Sequence, residues 1–216
     1  MNRAVSAYHR AMQVLDRAEE GTTRRRIMDA ALELFAQHGY AGTSMRMLAR
    51  AAGLRESSLY NHFAGKDDLY NALIAQWGPA EFVQRLQSPE YRALADDPPA
   101  FFRLCGRHLV DRWIDPREHR YMAMISKEGP GGPGQQRFNQ ALYRDEIQLL
   151  ADYCAHFAQA HGLVAPDPRE TARMFAAGLT LIRREHFTTS AEMPPRPQVD
   201  AAVARFIDNF IGTVLR

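Results

Sequence analysis

Apolar residues along this chain recur at helical spacing, and no stretch alternates convincingly enough to predict a strand. The first firm stripe is Ile27, Ala30, Ala31, Leu34 and Phe35, at i, i+3, i+4, i+7 and i+8. Thr22 or Thr23 offers a capping hydroxyl at its start, and Gly39, free to take the left-handed conformation, ends it. A shorter stripe of Met45, Leu48, Ala49 and Ala52 follows, with Thr43 or Ser44 as cap. Gly53 makes a turn, and Glu56 to His62 form a third helix with Leu59 and Phe63 facing inward. Two helices of about two turns each bury little alone, so they must pack on the helix before them as a three-helix head. From about Lys66 to Gln76 a further helix carries Leu69, Leu73 and Trp77 on one side. Gly78-Pro79 kinks or interrupts it before Glu81 to Gln87 resume, which makes either a hinge or a loop between two helices.

Beyond Asp96-Asp97-Pro98-Pro99 the pattern predicts helices at about 99–114, 116–128, 135–161, 168–187 and 197–215. Asp115-Pro116, the Gly129 to Gly134 loop, Gly162 and the prolines at 194, 195 and 197 divide them. Both final helices carry regular apolar stripes, and the last is apolar over a width that one neighbour hardly covers. Phe175, Leu179, Ile182, Val203, Phe206 and Phe210 are therefore expected to meet their copies across a two-fold axis, as a four-helix bundle. Ordinary monomer core is the competing reading. The fold class is all-α, with an N-terminal extension over 1–21, a head over 22–66 and a larger regulatory and dimerisation body over 67–216. The extension is either an amphipathic helix through Ala4 to Ala18 or a loose basic arm.

A hydrophobic content of 46% is ample for a buried core. No apolar run is long enough to cross a bilayer and the N-terminus is too polar for a secretory signal, so a cytoplasmic protein with no membrane partner is expected. Cys105 and Cys154 lack the paired spacing of a zinc or redox site and read as inert core thiols. The net charge of +2 is weak but unevenly distributed: 10 basic against 6 acidic residues through Lys66, then 17 against 19. The basic excess lies in the head, where a polyanion would be met.

The stretch from Thr43 to Lys66 has the form of a DNA-reading helix-turn-helix, in which the second helix enters the major groove. On that geometry Arg46, Arg55, Glu56, Ser57 and Asn61 are the candidate base readers. Arginine can contact guanine through two donors, asparagine can contact adenine, and glutamate can accept from the cytosine amino group. An outward Glu56 repels phosphate, so it is aimed at a base edge or it holds a neighbouring arginine. Thr43, Ser44, Ser58, Tyr60, His62 and Lys66 form the candidate phosphate group, with Lys66 at the positive end of the helix it opens. His62 could instead satisfy a backbone carbonyl within the head.

The run from Thr23 to Leu73, TRRRIMDAALELFAQHGYAGTSMRMLARAAGLRESSLYNHFAGKDDLYNAL, closely resembles the DNA-binding domain of TetR-type transcriptional regulators. The patterns A-A-x-x-L-F-x-x-x-G-Y, A-x-x-A-G-L and L-Y-x-H-F-x-x-K-x-x-L all occur at that family's spacing. The resemblance implies a homodimer of about nine helices per subunit, bound to a palindromic double-stranded operator and usually repressing transcription until a small ligand binds the body. Arg55 and Glu56 stand where many relatives carry other residue types, so base preference does not transfer. Residues 1–21 extend beyond the usual start.

The body is rich in large soft side chains, and with the resemblance this implies an apolar pocket for a small apolar or amphipathic ligand. Phe102, Trp113, Tyr121, Met124, Phe138 and Phe175 are its candidate lining, with Arg103, His108 or Arg183 as polar anchors. Each is individually more readily core than ligand contact. No metal site or cofactor is expected: His108-x-x-Asp111 lacks a third ligand, and His156 and His161 fall on different faces of one helix. No nucleophile, metal or phosphate-loop motif supports catalysis. The expected function is a ligand-released repressor. The alternative is a DNA-binding module governed by a protein partner or by its own concentration.

Overall fold

The computed structural model describes residues 21–78, 80–129, 131–163, 167–187 and 192–215. Among them the regular structure is helical, apart from one isolated bridge between Leu163 and Leu215. The chain forms two compact units. One is the chain through Ile74 together with the 120–130 segment, and the other is Ala75–His119 with everything from Gly131 onward. The first crossing between them falls between Ile74 and Ala75, and a segment distant in sequence joins the head.

The head contains α1 (21–38), α2 (Met45–Ala51), α3 (Glu56–Tyr60) and most of α4 (Lys66–Trp77). Gly21 is already helical, so Thr22 and Thr23 lie inside α1 and do not cap it. The proposed helix through Ala4 to Ala18 lies outside the described residues. Ile27, Ala31, Leu32, Phe35, Leu48, Leu59, Phe63, Leu69 and Leu73 make the head's core, each at most 1% exposed. The second half of α8 (Pro116–Ser126) adds the buried Tyr121, Met124 and Ile125 to this unit, and Arg120 pairs with Glu33 of α1 at 2.5 Å. The body holds α5 (Ala80–Leu86), the short α6 (Pro89–Arg92), α7 (Pro98–Trp113), and α9 (Pro133–Gln140) running through a π-turn at Ala141–Glu146 into α10 (Ile147–His161). Helices α11 (Pro168–Phe187) and α12 (Arg196–Val214) complete it.

Asp97 starts α7 by accepting from the Ala100 amide at 3.0 Å, with two prolines behind it that need no such partner. The helix then runs through the body's core. Phe102 lies 4.8 Å from Phe175, 5.1 Å from Phe210 and 5.8 Å from Phe157, centroid to centroid, so α7, α10, α11 and α12 converge on one aromatic cluster. Close approach is enforced by small residues. A Cβ on Gly106 would stand 2.4 Å from Ile207 Cδ1, and one on Gly178 would stand 2.2 Å from the Phe206 ring. The expected dimer stripe is accordingly turned inward. Phe175, Leu179, Ile182, Val203 and Phe210 are buried within the single chain, and Phe206 is half-buried against Phe175. The wide apolar face of α12 packs on two neighbours of its own chain, α7 and α11.

Among the described residues, two carboxylates are buried in the body. Glu118 is held by Arg112 at 3.0 Å and Arg183 at 2.9 Å, which ties α7, α8 and α11 together. Arg112 also donates to the Trp77 carbonyl at 2.8 Å. Glu146, at the end of the π-turn, is 5% exposed, and its carboxyl forms no hydrogen bond among the described residues. Burial pushes its carboxyl up from 4.5 to about 7, a rise that the positive charge of Arg112 partly offsets. A raised carboxyl pKa stabilises the fold only while the proton is bound, so its contribution is lost as pH rises through this window. Glu146→Gln should therefore be more stable than the native chain at pH 8, by on the order of 3 kcal/mol, with the gap closing below about pH 4. Urea unfolding at both pH values measures this, and a gap independent of pH would rule it out.

Candidate nucleic-acid interface

The recognition element starts with Ser44, whose hydroxyl accepts from the Met47 amide at 3.2 Å and caps α2. Helix α2 ends at Gly53, whose φ of +66° is the left-handed conformation that reverses the chain. The Leu54 amide closes this turn on the Ala49 carbonyl at 2.8 Å. Helix α3 then has only five residues and no side-chain cap; Glu56 in its first turn meets the positive end of the helix dipole. So short a helix is held from outside. Leu59 and Phe63 anchor it below, at 0% and 1% exposure.

Three cations of the head act as internal staples. Arg24 donates to the His62 carbonyl at 2.9 Å and lies 4.1 Å from the Phe63 ring centre. Arg26 donates to the Ala52 carbonyl at 2.7 Å, closing the end of α2 onto α1. The Lys66 ammonium donates to the carbonyls of Tyr40 and Thr43, both at 2.8 Å, and sits 4.2 Å from the Tyr40 ring centre. Tyr40 in turn donates its hydroxyl to Asp67. Burial, and then Asp67, push that hydroxyl up to about 12, so it remains a donor at any ordinary pH.

These contacts change two assignments. Thr43 is 2% exposed and gives its hydroxyl to the Gly39 carbonyl at 2.9 Å, so its side chain cannot reach a phosphate. Lys66 commits two of its three donors to the turn between α1 and α2, and its first duty is structural. His62 is engaged through its carbonyl, not its ring. The other candidates sit at the surface: Ser44, Arg46, Arg55, Glu56, Ser57 and Asn61 are exposed, Tyr60 is 49% exposed, and Ser58 and His62 are half-buried. The side chains of Arg46, Arg55 and Glu56 form no hydrogen bond or ion pair among the described residues, so Glu56 does not hold a neighbouring arginine. Arg24, Arg26 and Tyr40 were not singled out by the motif. The available signal was Arg24, which shares the spacing of Ile27, Met28 and Ala31 and therefore lies along the buried face of α1.

The body holds a cleft whose lining differs from the set expected above. A cleft of about 300 Å³ is bounded by the end of α4, α5, α7 and the start of α8, and Trp77, Glu81, Arg85, His108, Arg112 and Glu118 are among its lining. None of Phe102, Trp113, Tyr121, Met124, Phe138 or Phe175 lines it. Phe102, Trp113 and Phe175 are core; Tyr121 and Met124 belong to the head unit; Phe138 is half-buried on α9. Of the expected anchors, His108 does line the cleft, with its Nδ1 2.9 Å from the Tyr91 hydroxyl, and burial followed by Arg85 lowers its pKa. Arg183 braces Glu118 from behind, whereas Arg103 pairs with Asp208 at the surface. Both cysteines are buried thiols whose pKa burial raises, Cys154 to about 12.

A head of this build, with a glycine-turned pair of short helices on a third, defines a helix-turn-helix DNA-binding protein. The family model of bacterial regulatory proteins of the tetR family matches residues 27–73. The HTH-type transcriptional repressor Rv3405c of Mycobacterium tuberculosis is 30% identical over 186 residues, covering 84% of this chain and 87% of that protein. The HTH-type transcriptional regulator AcrR of Shigella flexneri is 32% identical over 108 residues, and there the match spans only about half of each chain, 50% and 49%. In fold, the SmeT–triclosan complex superposes with a TM-score of 0.67 at 20% identity, covering 90% of this chain and 92% of that one. The flavonoid-responsive regulator FrrA superposes with a TM-score of 0.64 at 22% identity, covering 90% and 98%. The chain belongs to the TetR family of DNA-binding transcriptional regulators.

Because Lys66 holds the turn that precedes α2, Lys66→Ala should lower the stability of the protein by about 1–3 kcal/mol, the scale of hydrogen bonds to a charged donor. Chemical denaturation of the variant measures it. An unchanged midpoint together with weakened DNA binding would return Lys66 to a purely phosphate role.

Proposed function

We propose that the protein is a homodimeric repressor that reads a palindromic operator through α3 and is released by a small amphipathic ligand bound in the body. The observation that carries the DNA reading is the contrast within the head. Arg24, Arg26 and Lys66 are consumed by internal staples, while Arg46 and Arg55 are exposed beside α3 with nothing within the described residues to hold them. Polar groups left uncommitted on the face that enters the groove are the ones that can exchange water for base edges.

The ligand reading rests on the cleft beside Arg112 and Glu118. Its lining is charged but largely paired within itself, Glu81 with Arg85 and Arg112 with Glu118, so a ligand with a flat apolar body and a few hydrogen-bonding groups suits it better than an ion. The fold neighbours described as flavonoid-responsive and as bound to triclosan are precedents for such a ligand. Helix α4 begins in the head with Lys66 and ends at the cleft with Trp77. Helix α8 begins at the cleft and continues into the head unit. A ligand that binds one arrangement of the cleft better than another can therefore bias the head through two unbroken helices, and a hundredfold loss of operator affinity needs about 2.7 kcal/mol of such coupling.

For the dimer, the outward side of α11 replaces the inward stripe. Met174 and Leu181 are each 58% exposed, with Ala177 exposed between them. Seven residues apart, they form an apolar line along one face of the helix. Leu181→Glu should shift the protein from dimer to monomer in light scattering and cost operator affinity without lowering helix content; a variant that stays dimeric places the interface elsewhere.

The DNA reading is tested by selecting operators from a random pool and comparing Arg46→Ala and Arg55→Ala on the selected duplex and on unrelated DNA. At least one variant should lose about 1–3 kcal/mol on the selected site only, the scale of a bidentate base contact. Equal losses on both DNAs would make these arginines phosphate contacts, and failure to enrich any sequence would overturn specific recognition.

A further inference from the structure

We propose that Asp96, His156 and His161 form a binding site for a divalent first-row transition cation of the Zn²⁺ type, with water completing the coordination. The three residues come from the turn between α6 and α7 and from the last turns of α10, and the site lies wholly within the body. The helical spacing of His156 and His161 suggested different faces, but the end of α10 brings their ring centres to 6.3 Å. His156 Nε2 lies 3.4 Å from Asp96 Oδ1 and His161 Nε2 lies 3.6 Å from the same oxygen. All three ligand atoms fall within 4.8 Å of one another.

These separations are long for hydrogen bonds, whose N···O distances centre near 2.9–3.0 Å. Both are near the edge of a coordination tetrahedron, in which metal–ligand bonds of about 2.0–2.1 Å place neighbouring ligand atoms roughly 3.3 Å apart, and the two imidazole ligand atoms lie within 4.8 Å of each other. An ion can therefore enter with small side-chain adjustments and no movement of the backbone. The donor set, two imidazoles and one carboxylate with an open fourth position, suits Zn²⁺, Co²⁺ or Ni²⁺ and not the oxygen-seeking Ca²⁺ or Mg²⁺.

The ligands are also pre-positioned. Phe157 is fully buried, and its ring centre lies 6.2 Å from His156 and 6.5 Å from His161, so one rigid aromatic ring borders both imidazoles. Asp96 precedes the residue that caps α7, and the Asp97 amide is bonded to the Leu94 carbonyl at 3.0 Å, which fixes the backbone on its far side. His161 is the last residue of α10, where the negative end of the helix dipole favours a cation. A bound ion clamps the α6–α7 turn to α10 and stabilises the body by mass action.

The test uses the full-length protein without a histidine tag, titrated with Co²⁺ and then with competing Zn²⁺. The expected result is one Co²⁺ per chain with the intense visible absorption of a four-coordinate ion, bleached by Zn²⁺. His156→Ala, His161→Ala and Asp96→Asn should each weaken binding at least about tenfold, the scale lost even when a supporting partner of a ligand is removed. All three side chains are exposed, so far-UV circular dichroism of the metal-free variants should be unchanged. Substoichiometric uptake, a weak six-coordinate spectrum, or binding unaffected in the His156→Ala/His161→Ala double variant would overturn the site.

Discussion

A recognition helix of five residues cannot hold its own shape, and the head is organised around that constraint. Hydrophobic anchoring by Leu59 and Phe63 sets the depth of α3, but apolar contacts are not directional and leave its rotation free. Direction comes from charge-assisted hydrogen bonds to backbone carbonyls: Arg26 on the end of α2, Arg24 on the end of α3, and Lys66 on the turn before α2. Each links segments more than twenty residues apart in sequence. The cations that look from the sequence like a polyanion-binding patch are thus partly the framework that aims the remaining ones.

The body solves a different problem. Four long helices converge on a phenylalanine cluster, and Gly106 and Gly178 let α12 approach both of its neighbours closely. Among the described residues a cleft lies beside the buried Glu118 and its two arginines. Removing one partner of such a triad leaves an uncompensated buried charge, which makes this corner sensitive to whatever occupies the cleft.

Much of the fold was legible because helical periodicity and turn residues act locally. Gly39 and Gly53 both take the left-handed conformation expected of them, and the long helices begin and end close to their predicted limits. What escaped was set by tertiary partners. A stripe such as Phe175, Leu179 and Ile182 announces burial without saying against which surface, and here its own chain supplies the cover. Thr43 and Lys66 fit the phosphate role by residue type, yet their atoms are spent inside the head. His156 and His161 were separated by an ideal helical wheel, which ignores that long side chains at a helix end can converge on a third group.

The division between the two units has a consequence for recombination. It runs through α4 between Ile74 and Ala75 and through α8 between His119 and Arg120, so two of its three crossings lie inside helices. Domains usually part at exposed linkers, where chains can be cut and rejoined with little loss. Here the head takes in the second half of α8 from the middle of the body's sequence, and a graft that exchanges only the N-terminal residues leaves Tyr121, Met124 and Ile125 behind with the wrong partner. DNA specificity in this chain is consequently inherited as a discontinuous unit: a new address must either be written into α2 and α3 residue by residue or be imported together with the 120–130 segment.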